Sequence, residues 1–256
     1  MLRPRIIPCL LVHDRGLVKT EHFKNPRYLG DPMNAVRIFN EKEVDELIIL
    51  DIDATVEGRG PDFKLIENWA EECRMPLCYG GGVTTVEQAQ RIFSLGVEKI
   101  AFSAGAINNP DLIKEISEKV GSQSIVVVLD VKKKLFGGYE VYTHNGKKAT
   151  GKSPFDLIKK FEDLGAGEIV INSIDKDGEM KGYDMKLVEA ARKETTLPLT
   201  AIGGAGKIED IGELINKFGI IGAAAGSLFV YKGKLKAVLI SYPNFTDKES
   251  LIKKYF

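Results

Sequence analysis

Glu46-Leu-Ile-Ile-Leu-Asp-Ile-Asp53 and Glu168-Ile-Val-Ile-Asn-Ser-Ile-Asp175 open alike on a glutamate and close alike on an aspartate, 122 residues apart. Each holds an apolar run, Leu47–Leu50 in one and Ile169–Ile171 in the other, within a stretch of strand length. Such a run reads as a parallel strand buried on both faces. Six similar runs lie outside this pair: Ile6–Val12, Pro76–Gly80, Lys99–Ser103, Ser124–Val131, Leu197–Ile202 and Ile220–Ala225. Counting Glu46–Ile52 and Glu168–Ser173, there are eight. Helix-length amphipathic stretches separate them: Pro32–Lys42, Asp62–Cys73, Val86–Leu95, Leu112–Val120, Pro154–Leu164, Lys186–Lys193 and Ile208–Phe218. Asp31 caps the first ahead of a first-turn proline, and Thr84 with Glu87 forms a capping box ahead of the third. Eight β-α units in 256 residues predict one domain, 1–256, folded as a closed (β/α)8 TIM barrel. An open doubly wound sheet would carry a Gly-rich turn after its first strand, and His13-Asp14-Arg15-Gly16 is not GxGxxG.

Two insertions interrupt the rhythm on the C-terminal side of their strands, where barrel sites lie. One is a long loop, His13 to Gly30; the other, Lys132 to Thr150, reads as a hairpin turning at Asn145-Gly146. Pro8 removes a ladder donor from a central strand, which suggests a bulge.

The offset recurs. Pro76 matches Pro198, Gly81-Gly82 matches Gly203-Gly204, and Ile7–Val12 matches Val126–Val131 at nearly the same spacing. Non-apolar matches at one offset point to an internal two-fold repeat of half-barrels. Glycine turns at strand ends let backbone amides approach a phosphate. They occur at Gly80-Gly81-Gly82 with Ser103-Ala104-Gly105, and at Gly203-Gly204-Ala205-Gly206 with Ala225-Gly226-Ser227. A single run is more simply a tight βα turn, but two matched ones on one face predict a small ligand with two phosphates. Gly82, Ser103, Ala104, Gly204, Gly226 and Ser227 would hold it, with Lys19, Asp177 and Gly178 on loops of the same face.

The charge balance is even, 36 basic against 36 acidic residues, so nothing suggests nucleic acid or an acidic tail. No apolar stretch is long enough for a membrane span, and no signal-peptide layout is present. The three cysteines (Cys9, Cys73, Cys78) and three histidines (His13, His22, His144) are scattered. That fits a reducing cytoplasm and gives no zinc spacing and no cofactor motif.

The chain resembles the HisF family, the cyclase half of imidazole glycerol phosphate synthase, over nearly its whole length. The motifs are Arg5-Ile-Ile-Pro-Cys-Leu10, Asp45-Glu-Leu-Ile-Ile-Leu-Asp51, Gly80-Gly-Gly82, Gly121-Ser-Gln-Ser124, Gly165-Ala-Gly-Glu168, Ser173-Ile-Asp-Lys-Asp-Gly178 and Gly203-Gly-Ala-Gly206. The resemblance implies a HisH-like glutaminase docked below the barrel, near Glu98 and Lys99. It further implies ammonia rising through the barrel to a two-phosphate ribonucleotide. Arg5, Glu46, Lys99 and Glu168 match the family's ring of alternating charge at the lower mouth, taken as the ammonia gate.

The family's two catalytic aspartates close strands 1 and 5. Asp130 matches the second, but Leu11 stands at the first, where Cys9-Leu10-Leu11-Val12 replaces Cys-Leu-Asp-Val. Leucine exchanges no proton; Asp14 would replace it only if its loop folded inward, and Asp51 is another nearby acid. Ser103 stands in place of a usual asparagine, and Thr20 in place of a glycine. Gate kept and chemistry altered is the pattern of the WbuZ-like paralogues associated with glycosyl amidation. Asp51-Ile-Asp-Ala-Thr55, Val131-Lys-Lys-Lys-Leu-Phe136 and Ala223-Ala-Ala-Gly-Ser-Leu-Phe229 are similar to that group. The resemblance implies a HisH-like partner, an ATP-dependent sugar amidotransferase as a third protein, and an acetamidino sugar as product. An authentic cyclase of histidine biosynthesis and a non-catalytic scaffold for the glutaminase are the alternatives. A HisA-like isomerase would also want an aspartate at position 11.

Overall fold

The barrel closes. The computed structural model describes residues 3–256. Its barrel strands are β1 (Arg5–His13), β2 (Leu47–Asp51), β3 (Leu77–Gly80), β4 (Lys99–Phe102), β5 (Ile125–Lys133), β6 (Glu168–Ser173), β7 (Leu199–Ile202) and β8 (Gly222–Ala225). Each pairs in parallel with the next, and β8 pairs with β1 through Arg5↔Gly222 to Pro8↔Ala225. Successive side chains alternate between two cores, as pleating requires. Outward residues such as Ile6, Leu10, Leu47 and Ile49 pack under the helices. Inward residues Ile7, Cys9, Ile48, Cys78, Ala101, Val126, Val128, Val170 and Ala224 fill the barrel.

The longer helices are α1 (Pro32–Glu41), α2 (Phe63–Glu72), α3 (Val86–Ser94), α4 (Asp111–Val120), α5 (Pro154–Asp163), α6 (Met185–Glu194), α7 (Ile208–Phe218) and α8 (Phe245–Tyr255), and two short ones span Ala104–Asn108 and Ser227–Val230. Asp31 caps α1 by accepting from the Met33 N–H, as expected. The capping box of α3 sits one residue later than the sequence suggested, on Thr85 and Gln88. Gln88 Oε1 reaches back to the N–H groups of both Thr84 and Thr85, so Glu87 is not needed for it. Helix α8 had no counterpart in the sequence reading, because its charged run carries only a narrow apolar face.

The two insertions are more ordered than expected. Residues Gly16–Glu21 fold back antiparallel on β1, with Leu11 opposite Val18, and pair with Lys24–Gly30. The second insertion makes two turns. Tyr139–Thr143 pairs back on β5 and then with Lys148–Ala149, and His144, Asn145 and Gly146 form the second turn in left-handed conformation. Pro8 produces no bulge: the register of β1 runs unbroken. It is the last β1 residue laddered to β8, which ends at Ala225, so its missing N–H falls where that ladder stops. No helix among the described residues is long and apolar enough to cross a membrane.

Candidate functional site at the C-terminal mouth

Two clefts open side by side at the C-terminal end of the strands, with about 780 and 680 Å³ of empty space. The first is lined by Leu11, Lys19, Asp177, Gly204, Gly226 and Ser227, among others. The second is lined by Gly80–Gly82, Ser103–Gly105 and His144. They meet at Leu50, Ile52, Asp130 and Asn145. The half-barrel repeat is visible in space as one glycine turn per cleft, Gly203-Gly204 in the first and Gly81-Gly82 in the second.

The glycine turns are forced by close backbone packing. A Cβ on Gly81 would lie 2.6 Å from the Asp51 carbonyl oxygen, and one on Gly203 2.7 Å from that of Ser173. Both glycines have positive φ, as does the residue after each. Asp51 and Ser173 are themselves related by the repeat, so the two halves make the same contact.

The hairpin folded over β1 carries Lys19 into the first cleft. Lys19 is almost fully buried, with Nζ 2.7 Å from Asp177 Oδ1. Thr20 Oγ1 donates to Asp177 Oδ2 at 2.6 Å, and the Phe23 N–H donates to the same oxygen at 3.1 Å. Thr20, which replaces a glycine in the related motif, thus helps to fix the carboxylate. Gly178 has φ +74°, and a Cβ there would meet the Thr20 carbonyl at 2.6 Å. Ser227 Oγ is buried and lacks a hydrogen-bond partner, alone among buried side-chain polar atoms of the described residues. Buried hydroxyls are seldom left so, and this one lines the cleft that a ligand would enter.

Asp130 sits between the clefts. Asn172 Nδ2 donates to one of its oxygens at 2.8 Å and Ser103 Oγ to the other at 3.1 Å. Burial pushes its pKa up to about 6, against those two hydrogen bonds, which favour the carboxylate. Ser103 therefore serves Asp130 as well as the cleft wall. Asn172 escaped the sequence reading although its signal was there: it shares the inward parity of Glu168 and Val170 on β6.

Leu11 and Asp130 both line the first cleft, four strands apart around the barrel. Leu11 packs with Leu50 and Ile202 into an apolar floor. Nearby acids do not replace it. Asp14 is exposed, with φ +47°, and its N–H bonds Asp53 Oδ2 at 2.8 Å, which turns the loop outward. Asp51 lines the second cleft but is clamped by Arg59 at 2.8 and 3.0 Å and by the N–H groups of Asp53 and Ala54. His13 pairs with Asp53 at 2.7 Å on the rim, and that hydrogen bond raises its pKa.

A raised carboxylate pKa costs stability once the group ionises. Asp130 titrates near 6 when folded against 3.8 ordinarily. The penalty is full above pH 6, shrinks below it and vanishes below 3.8. Asp130→Asn should therefore stabilise the fold by about 3 kcal/mol at pH 8, with no gain at pH 3.5. Thermal melts of both proteins across pH check this; a gain that does not change with pH would contradict it.

At the opposite mouth, four charged side chains close the barrel. Arg5 contacts Glu46 and lies 2.7 Å from Glu168. Lys99 Nζ lies 3.0 Å from Glu46 and 2.8 Å from Glu168. The Thr200 hydroxyl donates to Glu168 at 2.6 Å and had gone unnoticed in the sequence. Gly222 makes room for it, since a Cβ there would lie 1.9 Å from Thr200 Oγ1. Burial alone would raise the Glu168 pKa, but Arg5 and Lys99 outweigh it and hold it at about 2. Burial likewise opposes charge on Lys99, yet Glu168 and Glu46 raise its pKa. Glu98 is exposed beside this ring and accepts from the Leu77 N–H at 2.8 Å.

A closed barrel of two matched halves, with paired clefts at one mouth and a charge ring at the other, is a (β/α)8 barrel of HisF type. The chain belongs to the histidine biosynthesis protein family, whose model matches residues 5–236. It is 58% identical over 252 residues to a Leptospira interrogans protein provisionally named imidazole glycerol phosphate synthase subunit HisF, covering 98% of this chain and 99% of that one. A provisionally named subunit hisF2 of Pseudomonas aeruginosa is 52% identical over 244 residues, 95% and 97% of the two chains. The imidazole glycerol phosphate synthase subunit HisF of Streptococcus sanguinis is 40% identical over 231 residues, 90% and 92% of the two.

Proposed function

We propose that this chain is the ammonia-receiving subunit of a glutamine-dependent synthase. A HisH-like glutaminase docks at the lower mouth near Glu98 and Lys99, and its ammonia passes the ring of Arg5, Glu46, Lys99 and Glu168. It rises to an upper face that holds a phosphorylated ligand through Lys19, Gly82, Ser103, Ala104, Asp177, Gly178, Gly204, Gly226 and Ser227. The end use is amidination of a sugar for a surface polysaccharide or flagellar glycan, with an ATP-dependent sugar amidotransferase as the third protein.

One observation carries this reading: the complete charge ring coexists with Leu11 opposite Asp130. Buried ion pairs return little net stability, so a purely structural seal explains the ring poorly. Above it, the interior is lined by apolar and small side chains, Ile7, Cys9, Ile48, Cys78, Ala101 and Ala224 among them. Burial pushes the Cys9 thiol up to about 12 and the Cys78 thiol well above its ordinary value, so both stay neutral. An uncharged lining favours neutral ammonia over ammonium, because an isolated ion is costly to desolvate. Identity of 58 and 52% with provisionally named subunits, against 40% with the Streptococcus sanguinis subunit, fits a paralogue.

The second reading is an authentic cyclase of histidine biosynthesis; the retained Asp130, with its pKa near 6, favours it. Complementation separates the two. The chain should fail to restore growth without histidine to a cell lacking its own HisF, although it is expressed and folded. Growth at the rate given by an authentic HisF would establish the cyclase.

A further inference from the structure

The two clefts differ in charge. Lys19 lines the first, whereas no lysine or arginine lines the second. Each has two carboxylates in its wall, Asp130 and Asp177 in the first and Asp51 and Asp130 in the second, so only the first sets a lysine against them. Backbone amides at Gly80–Gly82 would have to hold an anion in the second against that background. A single lining side chain of this cleft can become a cation, His144.

His144 is set in place deliberately. It follows the inserted strand Tyr139–Thr143 on the second turn of the insertion, and it, Asn145 and Gly146 all have positive φ. Non-glycine residues keep that conformation where the surroundings enforce it. Asn145 Nδ2 donates to the Ile52 carbonyl at 2.9 Å, tying the turn across the mouth to the end of β2. Its neighbour Gly146 stands against Phe23 and Ile174, both apolar. The Nδ1 of His144 lies 3.0 Å from Thr143 Oγ1, and its Nε2 meets no hydrogen-bond partner among the described residues. The other histidines are occupied elsewhere, His13 with Asp53 and His22 beside the Ile174 carbonyl. Around His144, β2 presents Asp51, which accepts two hydrogen bonds from Arg59, and β5 presents Asp130. The ends of β3 and β4 present only glycines, Ser103 and apolar residues, and its own turn adds the exposed Lys147.

We propose that His144 is the cationic contact of the second cleft, holding an oxyanion group of the ligand while the imidazole is protonated and releasing it when the proton is lost. This rests on the reading that the upper face binds a phosphorylated ligand, and makes one end of that ligand pH-dependent. Imidazole is the side chain suited to such a switch near neutral pH.

Sulfate is the probe, because its charge does not change between pH 6 and 8. Its binding is followed by the amide NMR signals of Gly82 and Gly204, one per cleft. Expected is a loss of affinity at Gly82, on raising the pH from 6 to 8, that is about tenfold greater than at Gly204. Ionisation of Asp130 weakens both clefts together, so the difference between them isolates His144; Asp130→Asn should leave that difference intact. His144→Gln should bind weakly at Gly82 at both pH values and normally at Gly204, which also reports that the variant is folded. His144→Lys should bind at Gly82 at both pH values. Equal pH dependence at the two glycines, or unchanged Gly82 binding in His144→Gln, overturns the proposal while leaving the phosphate reading standing. No sulfate at either cleft overturns both.

Discussion

Leu11→Asp should gain cyclase activity on the histidine-pathway ribonucleotide when ammonia is supplied directly. The unaltered protein should turn over far below the ~1 s⁻¹ ordinary for an enzyme. On the proposed reading ring closure would need proton transfer on both sides of the ligand, and Asp130 would serve one. The opposite wall offers Leu11, Leu50 and Ile202, none of which exchanges a proton. Asp14 points to solvent and Asp51 is held by Arg59. A positioned acid or base contributes ~10²–10⁴-fold, so a gain of about 10²-fold is expected. The full factor is not, because Ser103 is bonded to Asp130 and Thr20 to Asp177, and reacting groups must also be positioned. Turnover near 1 s⁻¹ by the unaltered chain, measured by product formation, would contradict the assignment.

Glu168→Gln should destabilise the barrel by on the order of 3 kcal/mol at pH 7. Glutamine can still accept the Thr200 hydroxyl, so the loss is one of charge. Arg5 and Lys99 would be left sharing Glu46 alone in a half-buried ring. The sign with pH follows from the depressed pKa. Glu168 titrates near 2 in the fold against 4.5 ordinarily. Its contribution is complete above pH 4.5 and is lost as the pH falls towards 2. Denaturant melts at pH 7 and pH 3 should therefore show a smaller gap between the two proteins at the lower pH. A difference within 0.5 kcal/mol at pH 7, the range of ordinary surface changes, would show that the ring is slack.

All eight strands were legible because parallel strands buried on both faces leave continuous apolar runs. The duplication was legible because Gly81-Gly82 and Gly203-Gly204 make the same backbone contact in each half. Side-chain partnerships were less so. Asn172 and Ser103 bond the two oxygens of Asp130, and neither pairing leaves a local trace, since the residues come from three different strands or strand ends. Thr200 was hidden for the same reason, its partner Glu168 being on the adjacent strand. The hairpin carrying Lys19 read as a loop because its outer strand, Lys24–Gly30, is mostly exposed and polar. His144 looked incidental until the fold brought its turn over the second cleft.

Partnership is where the central claim meets its most direct measurement. The HisH-like glutaminase proposed as the partner of this chain should hydrolyse glutamine slowly alone and much faster in an equimolar mixture. A charge reversal at the lower mouth, Glu98→Lys, should weaken that stimulation, whereas Leu11→Asp at the upper mouth should leave it intact. A pair that neither associates nor stimulates glutamine hydrolysis at micromolar concentration would contradict an ammonia-receiving role.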